Sequence, residues 1–269
     1  MSSDIPQSLW LIGCGNMAGA MLARWVASGR VDPANVTVVD PGVPRLPEGV
    51  RHVTKLPEGE APEAVMLGVK PQMLDAIAPA LAPRIGGARL LLSILAGVEI
   101  ASLTKRFEVC AVIRVMPNLP VALGHGAVGL YGADPDSDAG RQASALMAPL
   151  GLVEWIADEG LFDAVTALSG SGPGFLYRFI DALAEAGAKL GLPADQALRL
   201  ATATVEGAAM TAARADEPPA TLADRVASPG GSTREGLNVL DRNDALEALI
   251  AETLEAARNR NAELAAAAR

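Results

Sequence analysis

The ten residues "LIGCGNMAGA" at positions 11–20 constrain this chain more than any others. They place glycine at 13, 15 and 19 between a short apolar run, "LWLI", and a stretch at 17–28 whose apolar residues recur at helical spacing. A β-branched run, "VTVVD", follows and ends at Asp40. The order is strand, tight turn, helix, strand. In such a unit Gly13 makes the turn, Gly15 lets the backbone approach a pyrophosphate, and the small pair Ala18 and Gly19 lets helix and strand pack closely. The helix start at Asn16 and Met17 then offers free N–H groups and the positive end of the helix dipole to phosphate. Asp40 stands where an acid hydrogen-bonds the adenosine ribose hydroxyls and repels a 2′-phosphate. Against that, Arg45 in the next loop can swing toward such a phosphate, so both NADH and NADPH stay open as the cofactor. A plain turn residue before Pro41 is the other reading of Asp40.

Further short apolar runs follow at 64–69, 89–95, 109–115, 127–131 and 152–156, separated by helical patterns at 72–81, 98–107 and 137–150. Runs that are apolar throughout, rather than alternating, fit strands buried on both faces of a mainly parallel sheet with helices on either side. Beyond about 158 the strand pattern stops. Helices are predicted at 162–168, 175–190, 194–215 and 244–268, with breaks at 191–193 and 217–219. The predicted architecture is an α/β Rossmann-like N-terminal domain, residues 1–158, followed by an all-α C-terminal domain, residues 159–269. The Ala- and Leu-rich helices of the second half are too few to bury their apolar faces within one chain, so that half is expected to form a subunit interface.

Composition removes several function classes. A net charge of −9 argues against a nucleic-acid or anionic-membrane surface. The start "MSSDIPQS" has no basic stretch leading into an apolar one, and no apolar run approaches a membrane span, so a soluble, cytoplasmic protein is expected. Hydrophobic residues make up 50% of the chain and aromatics only 3%, which leaves Ala, Val, Leu and Ile to build the cores. Cys14 and Cys110 lack C-x-x-C spacing and read as reduced packing thiols. His52 and His125 are the only histidines, too few and too far apart for a metal site or a Ser-His-Asp triad.

Ligands of open α/β sheets bind at the carboxyl ends of the strands. Three segments end strands there: "VKPQ" with Val69, Lys70 and Pro71, "SILAG" with Ala96 and Gly97, and "RVMPNLP" with Asn118. These are the expected contacts on the nicotinamide side. In the helical half, "ALSGSGPGF" (167–175) and "VASPGGST" (226–233) combine small residues, hydroxyls and a Gly-Pro or Pro-Gly pair with a helix just beyond. Backbone N–H groups in such loops can grip a carboxylate. The bland alternative for the second is a connection between helices, with Ser232 or Thr233 as N-cap.

In this order and spacing, "GCGNMAGA", "VKPQ", "RVMPNLP", "ALSGSGPGF" and "VASPGGST" resemble the motifs of the Δ1-pyrroline-5-carboxylate reductase family over residues 11–240. The resemblance implies NADPH- or NADH-dependent reduction of a cyclic imino acid to L-proline, on a Rossmann domain joined to a helical dimerisation domain. It implies that Ser228, Gly230, Gly231 and Ser232 hold the substrate carboxylate and that Thr233 hydrogen-bonds the ring nitrogen as the catalytic contact. It also implies a homodimer that assembles further into a decamer, a pentamer of dimers. The chain departs from the family pattern at Leu119, where Thr is usual, and at Gly174, Phe175, Ala227 and His125.

Two other readings are weighed against this one. A β-hydroxyacid dehydrogenase needs a K-x-x-x-N pattern in the second domain, but the only lysine after 160 is Lys189, and position 193 is proline. A non-catalytic dinucleotide sensor would not need an intact Ser-Pro-Gly-Gly-Ser-Thr segment. The scarcity of His and Lys suits an imine substrate, because a protonated imine brings its own proton and needs no strong acid.

Overall fold

The computed structural model describes residues 5–267. Its first strand, β1 (Leu9–Ile12), is buried along its whole length. Successive side chains of a strand point to opposite faces. Leu9 and Leu11 accordingly join one hydrophobic cluster with Met21, Leu22 and Trp25, while Trp10 and Ile12 join another with Leu81, Ile85 and Phe107. The two clusters are the two sides of one sheet.

Helix α1 (Asn16–Ala27) supplies Met21, Leu22 and Trp25 to the first cluster. The chain then lays down β2 (Val36–Val39), β3 (Arg51–Val53), β4 (Ala64–Leu67), α2 (Leu74–Ile85), β5 (Leu90–Ser93), α3 (Ile100–Thr104), β6 (Ala111–Met116), β7 (Gly126–Tyr131), α4 (Asp138–Met147) and β8 (Gly151–Trp155). The eight strands form one sheet in the order β3-β2-β1-β4-β5-β6-β7-β8. Every neighbouring pair is parallel except β6 and β7. Helices α2 and α3 cover the second face through Leu74, Ala78, Leu81, Ile85 and Leu103, and α4 joins α1 on the first through Ala143, Leu146 and Met147. Full burial of a Leu, Ile, Met or Phe contributes roughly 1.5–3 kcal/mol, so this sheet carries its own stability.

Strand β3 has no counterpart among the predicted strands. It is a three-residue edge strand, Arg-His-Val, with Arg51 exposed, and a short polar edge carries no apolar period.

The chain divides into two compact units: one runs to Ser171 and takes in Ala257 onward, and the other is Gly172–Ala256. The units part at Gly172 because the segment after β8 still packs on the sheet. Its helix α5 (Phe162–Val165) buries Phe162 edge-on to Tyr131, with ring centroids 6.3 Å apart. Arg114, itself buried, lies over the Phe162 ring and pairs with Glu159 at 2.8 Å.

The second unit consists of α6 (Gly172–Lys189), α7 (Ala194–Ala212), α8 (Pro219–Val226), α9 (Ser232–Asp241) and the first half of α10 (Ala245–Ala267). Residue 268, the end predicted for the last helix, lies outside the described residues. Helices α6 and α7 form a hairpin that turns at Gly191, whose φ of +103° only glycine adopts easily. Close packing there is set by small residues, since a methyl on Gly187 would already touch Ala197 at 3.4 Å. The break expected at 217–219 falls between α7, which ends at Ala212, and α8. Pro219 opens the helix, where a missing N–H costs nothing and a fixed φ suits the first turn.

Candidate active site

At the carboxyl ends of β1, β2 and β4 the first unit opens a groove of ≈ 580 Å³, lined by Gly13, Gly15, Asp40, Val69 and Lys70 among others. The glycines shape it by close approach. Gly13 has φ +84°, and a methyl there would lie 2.7 Å from Val69 Cγ1 and 2.9 Å from Val69 N. Gly68, which the motif left out, is equally tight: a methyl on it would lie 2.7 Å from Gly13 O and 2.8 Å from Ala18 Cβ. The small residue that lets helix and strand meet is thus Ala18, and its opposite number is Gly68. Gly15 differs from both, with nothing within 4 Å of an added methyl. It is the N-cap of α1 without any side-chain cap, so no side chain satisfies the N–H groups of the first turn, which starts at Asn16 and Met17. That is a fit for pyrophosphate, which needs both room and uncapped helix amides.

Asp40 holds this loop in shape. Its Oδ2 accepts the Cys14 N–H at 2.7 Å, and its Oδ1 accepts the Gly42 N–H at 2.8 Å. The carboxylate lines the groove, as expected of a ribose contact, but is already engaged by backbone amides. Cys14 is buried behind the loop, and burial, followed by the nearby Asp40 charge, pushes its thiol up to about 11. Lys70 is exposed and leads into a 3₁₀ turn that begins at Pro71. Met73, Ile77, Thr54, Lys55 and Leu56 also line the groove and lie outside every sequence motif. The two segments that supply them, the edge-strand exit and the start of α2, carry no motif.

Ala96 and Gly97 occupy the turn after β5, with Gly97 at φ +73°. Gly97 lines a second recess of ≈ 530 Å³ with Arg114, Glu159 and Phe162. The Asn118 side chain is engaged within the protein. Its buried amide donates to Ser169 O at 3.0 Å and accepts from Ala127 N at 2.9 Å. A buried amide must find such partners, and here they tie the β6 exit to β7 and to the segment before α6.

Segment 167–175 is not the open loop that its glycines suggest. Thr166–Gly170 forms a π-helical turn leading into α6, and Ser169 Oγ is taken up by Val165 O at 2.8 Å.

The stretch 228–233 is a true turn. Gly231 N–H donates to Ser228 O at 2.9 Å around Pro229 and Gly230. Gly230 has φ +69°, and a methyl on Gly231 would lie 2.5 Å from Ser228 Oγ. Gly230 is therefore favoured by the backbone, whereas a side chain at 231 would have to displace the Ser228 hydroxyl. The N-cap of α9 is Gly231 rather than Ser232 or Thr233, and no side chain caps the helix. Ser232 and Thr233 are exposed in its first turn, and neither hydroxyl bonds to any described residue. The outcome is a row of unbonded N–H groups flanked by free hydroxyls. Arg234 pairs with Asp224 at 2.6 Å and anchors the turn to α8.

Two family models match the chain. The family model described as pyrroline-5-carboxylate reductase dimerisation matches residues 159–264. The model described as NADP oxidoreductase coenzyme F420-dependent matches residues 8–97. A pyrroline-5-carboxylate reductase of Pseudomonas aeruginosa is 38% identical over 94% of this chain and 95% of its own length. That of Thermus thermophilus is also 38% identical, over 95% and 98%. The solved structure of a pyrroline-5-carboxylate reductase from Coxiella burnetii superposes with a TM-score of 0.88 at 30% identity, covering 96% of this chain and 98% of that one. With relatives matched over nearly their whole length at this level, the chain belongs to the pyrroline-5-carboxylate reductase family.

Proposed function

We propose that this protein reduces the cyclic imino acid Δ1-pyrroline-5-carboxylate to L-proline, the closing step of proline synthesis. The observation that carries the reading is the state of Thr233. The helix it opens is capped by backbone alone, so its exposed hydroxyl remains available to a ligand.

When bound, NADPH or NADH supplies the hydride. The amides of Gly15, Asn16 and Met17 would hold its pyrophosphate, and Gly13 and Gly68 keep the backbone close enough to form that cradle. Asp40 would receive the ribose, while Val69, Lys70, Pro71, Ala96, Gly97 and the backbone at Asn118 would border the nicotinamide.

Ser228, Gly230, Gly231 and Ser232 receive the substrate carboxylate, since uncapped helix amides and hydroxyls both favour an anion. Thr233 orients the ring at nitrogen. The protonated imine arrives with its proton, and once carbon has gained hydride the nitrogen is a neutral amine that can accept from the Thr233 hydroxyl. No proton has to be delivered in the reductive step, so positioning does most of the work. A β-hydroxyacid dehydrogenase is disfavoured because Lys189 ends α6 and the position for its asparagine partner is Pro193, the N-cap of α7.

The assembly is proposed to be a homodimer formed through the helical unit, five of which make a decamer. The proposed location is cytoplasmic, without nucleic-acid or membrane partners. Among the described residues no helix is long and apolar enough to cross a membrane.

The decisive experiment follows NADH and NADPH oxidation separately in the presence of Δ1-pyrroline-5-carboxylate. Rapid turnover with either supports the reading. Cofactor binding without turnover would instead favour a dinucleotide sensor.

A further inference from the structure

We propose that Lys55 is the residue that meets the 2′-phosphate of NADPH, working against the charge of Asp40 in the same groove. The inference rests on the reading of that groove as a dinucleotide site and assigns its cofactor discrimination to a position outside the glycine motif.

Sequence offered Arg45 for this part. Arg45 lies exposed in the loop between β2 and β3 and does not line the groove. Lys55 does, next to Asp40, Pro41, Thr54 and Leu56.

The sheet dictates this placement. Strands β2 and β3 run parallel, with Val39 beside Val53. Their pairing continues by one bond, from the Asp40 N–H to Val53 O at 3.0 Å. A second contact, between His52 Nε2 and Asp40 O at 2.9 Å, pins the edge strand at the same level. A carbonyl can only accept, so His52 holds its proton on Nε2. Beyond Val53 the chain leaves the sheet about one inter-strand spacing, ~4.8 Å, from the Asp40–Pro41 backbone. Lys55 is the first cation after that exit.

The charges explain why one residue decides. A 2′-phosphate brings about −1.5 to −2 charges at neutral pH. Both oxygens of Asp40 already accept backbone N–H groups, which offsets part of its repulsion without removing it. Lys55 is exposed and forms no ion pair with any described residue, so its ammonium can turn to the phosphate. The groove then accepts either dinucleotide, and the preference follows the balance between Lys55 and Asp40.

Calorimetric titration of the full chain with adenosine 2′,5′-bisphosphate and, separately, with 5′-AMP reads the phosphate contribution apart from turnover. In Lys55→Met the affinity for the bisphosphate relative to 5′-AMP falls by about tenfold at low salt. Lys55→Arg restores most of the ratio, Arg45→Met does not change it, and raising the salt shrinks the wild-type ratio toward that of Lys55→Met. A ratio that survives Lys55→Met, or that falls in Arg45→Met instead, overturns the assignment while leaving the groove a nucleotide site. Failure of the wild-type protein to bind either nucleotide would overturn the dinucleotide reading itself.

Discussion

In the sheet unit Trp25, Phe107 and Phe162 are each at most 2% exposed. In the helical unit the buried residues among those described are all alanines: Ala184, Ala197, Ala201 and Ala227. Its large apolar side chains lie outside, with Leu176, Phe179 and Leu183 of α6 exposed by 44%, 49% and 40%. Their i, i+3, i+7 spacing puts these three on one face of the helix. One unit closes its own core, and the other presents an apolar surface that a second copy can cover. What distinguishes them is where the aromatic and branched residues fall, since both are rich in helix formers.

The largest predicted effect tests that contrast directly. Leu183→Asp places a charge on the open face of α6, where it disturbs little within one chain, yet it should convert the oligomer to monomers in light scattering. An unchanged mass would mean that the apolar face is not the subunit contact. The matching change in the sheet unit, Leu81→Asp at a fully buried position, should prevent folding altogether.

The two binding segments should separate as cleanly. Gly15→Val fills space that is empty in the folded chain, so the protein folds but loses cofactor affinity. Thr233→Ala should bind cofactor as before and lose about ten- to 150-fold in kcat/KM, the equivalent of a 1.5–3 kcal/mol hydrogen bond. Reduced NADH affinity in Thr233→Ala, measured by quenching of tryptophan fluorescence, would break the separation.

How much of this was readable in the sequence depends on how local each signal is. The β1–α1–β2 unit was legible because its apolar runs and glycines lie within one short stretch. The turn at 228–233 was legible for the same reason, although its N-cap was misplaced by a residue because hydroxyl side chains usually outrank glycine as caps. Asn118 is legible by its place at a strand end, whereas its hydrogen-bond partners, Ala127 and Ser169, come from later segments. Lys55 enters the groove only through the register of β3, an edge strand too short and polar to be seen. Gly68 stands directly before "VKPQ", and the glycine there was the one available clue to its close approach.

Glycine-to-alanine changes carry the comparison to smaller energies. Gly68→Ala forces a methyl against Gly13 O and Ala18 Cβ and should destabilise the fold by about 1–3 kcal/mol. Gly207→Ala, inside α7 with nothing within 4 Å, should stabilise by about 0.4–1 kcal/mol through the unfolded chain. Urea melts of both variants give the signs, and a destabilising Gly207→Ala would show that a partner backbone approaches α7 there.

Density in the sheet unit also has a chemical readout. Cys14, raised from 9.0 to about 11, holds about a hundredfold less thiolate at neutral pH than an ordinary thiol. Iodoacetamide should therefore label exposed Cys110 long before Cys14. The sign of the pH effect follows from the folded value lying above the unfolded one. Below pH 9 the thiol is protonated in both states and adds no slope. Between 9 and 11 the unfolded chain loses its proton first, so stability falls as pH rises. Cys14→Ala should remove that part of the alkaline decline, and a slope identical to wild type would mean that the thiol is not shielded.

The smallest effect separates a binding turn from a plain connection between helices. Ser137 caps α4, its Oγ accepting the Gly140 N–H at 3.0 Å, and Ser137→Ala should cost about 1 kcal/mol. Ser232 sits one residue later in its own helix than a cap does, because Gly231 takes that place. Ser232→Ala should therefore stay within about 0.5 kcal/mol of wild type in the same melts, while KM for the imino acid rises. Equal losses in the two variants would mean that the Ser232 hydroxyl serves the helix, and the case for a carboxylate held at 228–232 would lose one of its donors. A stable Ser232→Ala with a raised KM would show the reverse, that this helix start is left uncapped by side chains so that substrate can occupy it.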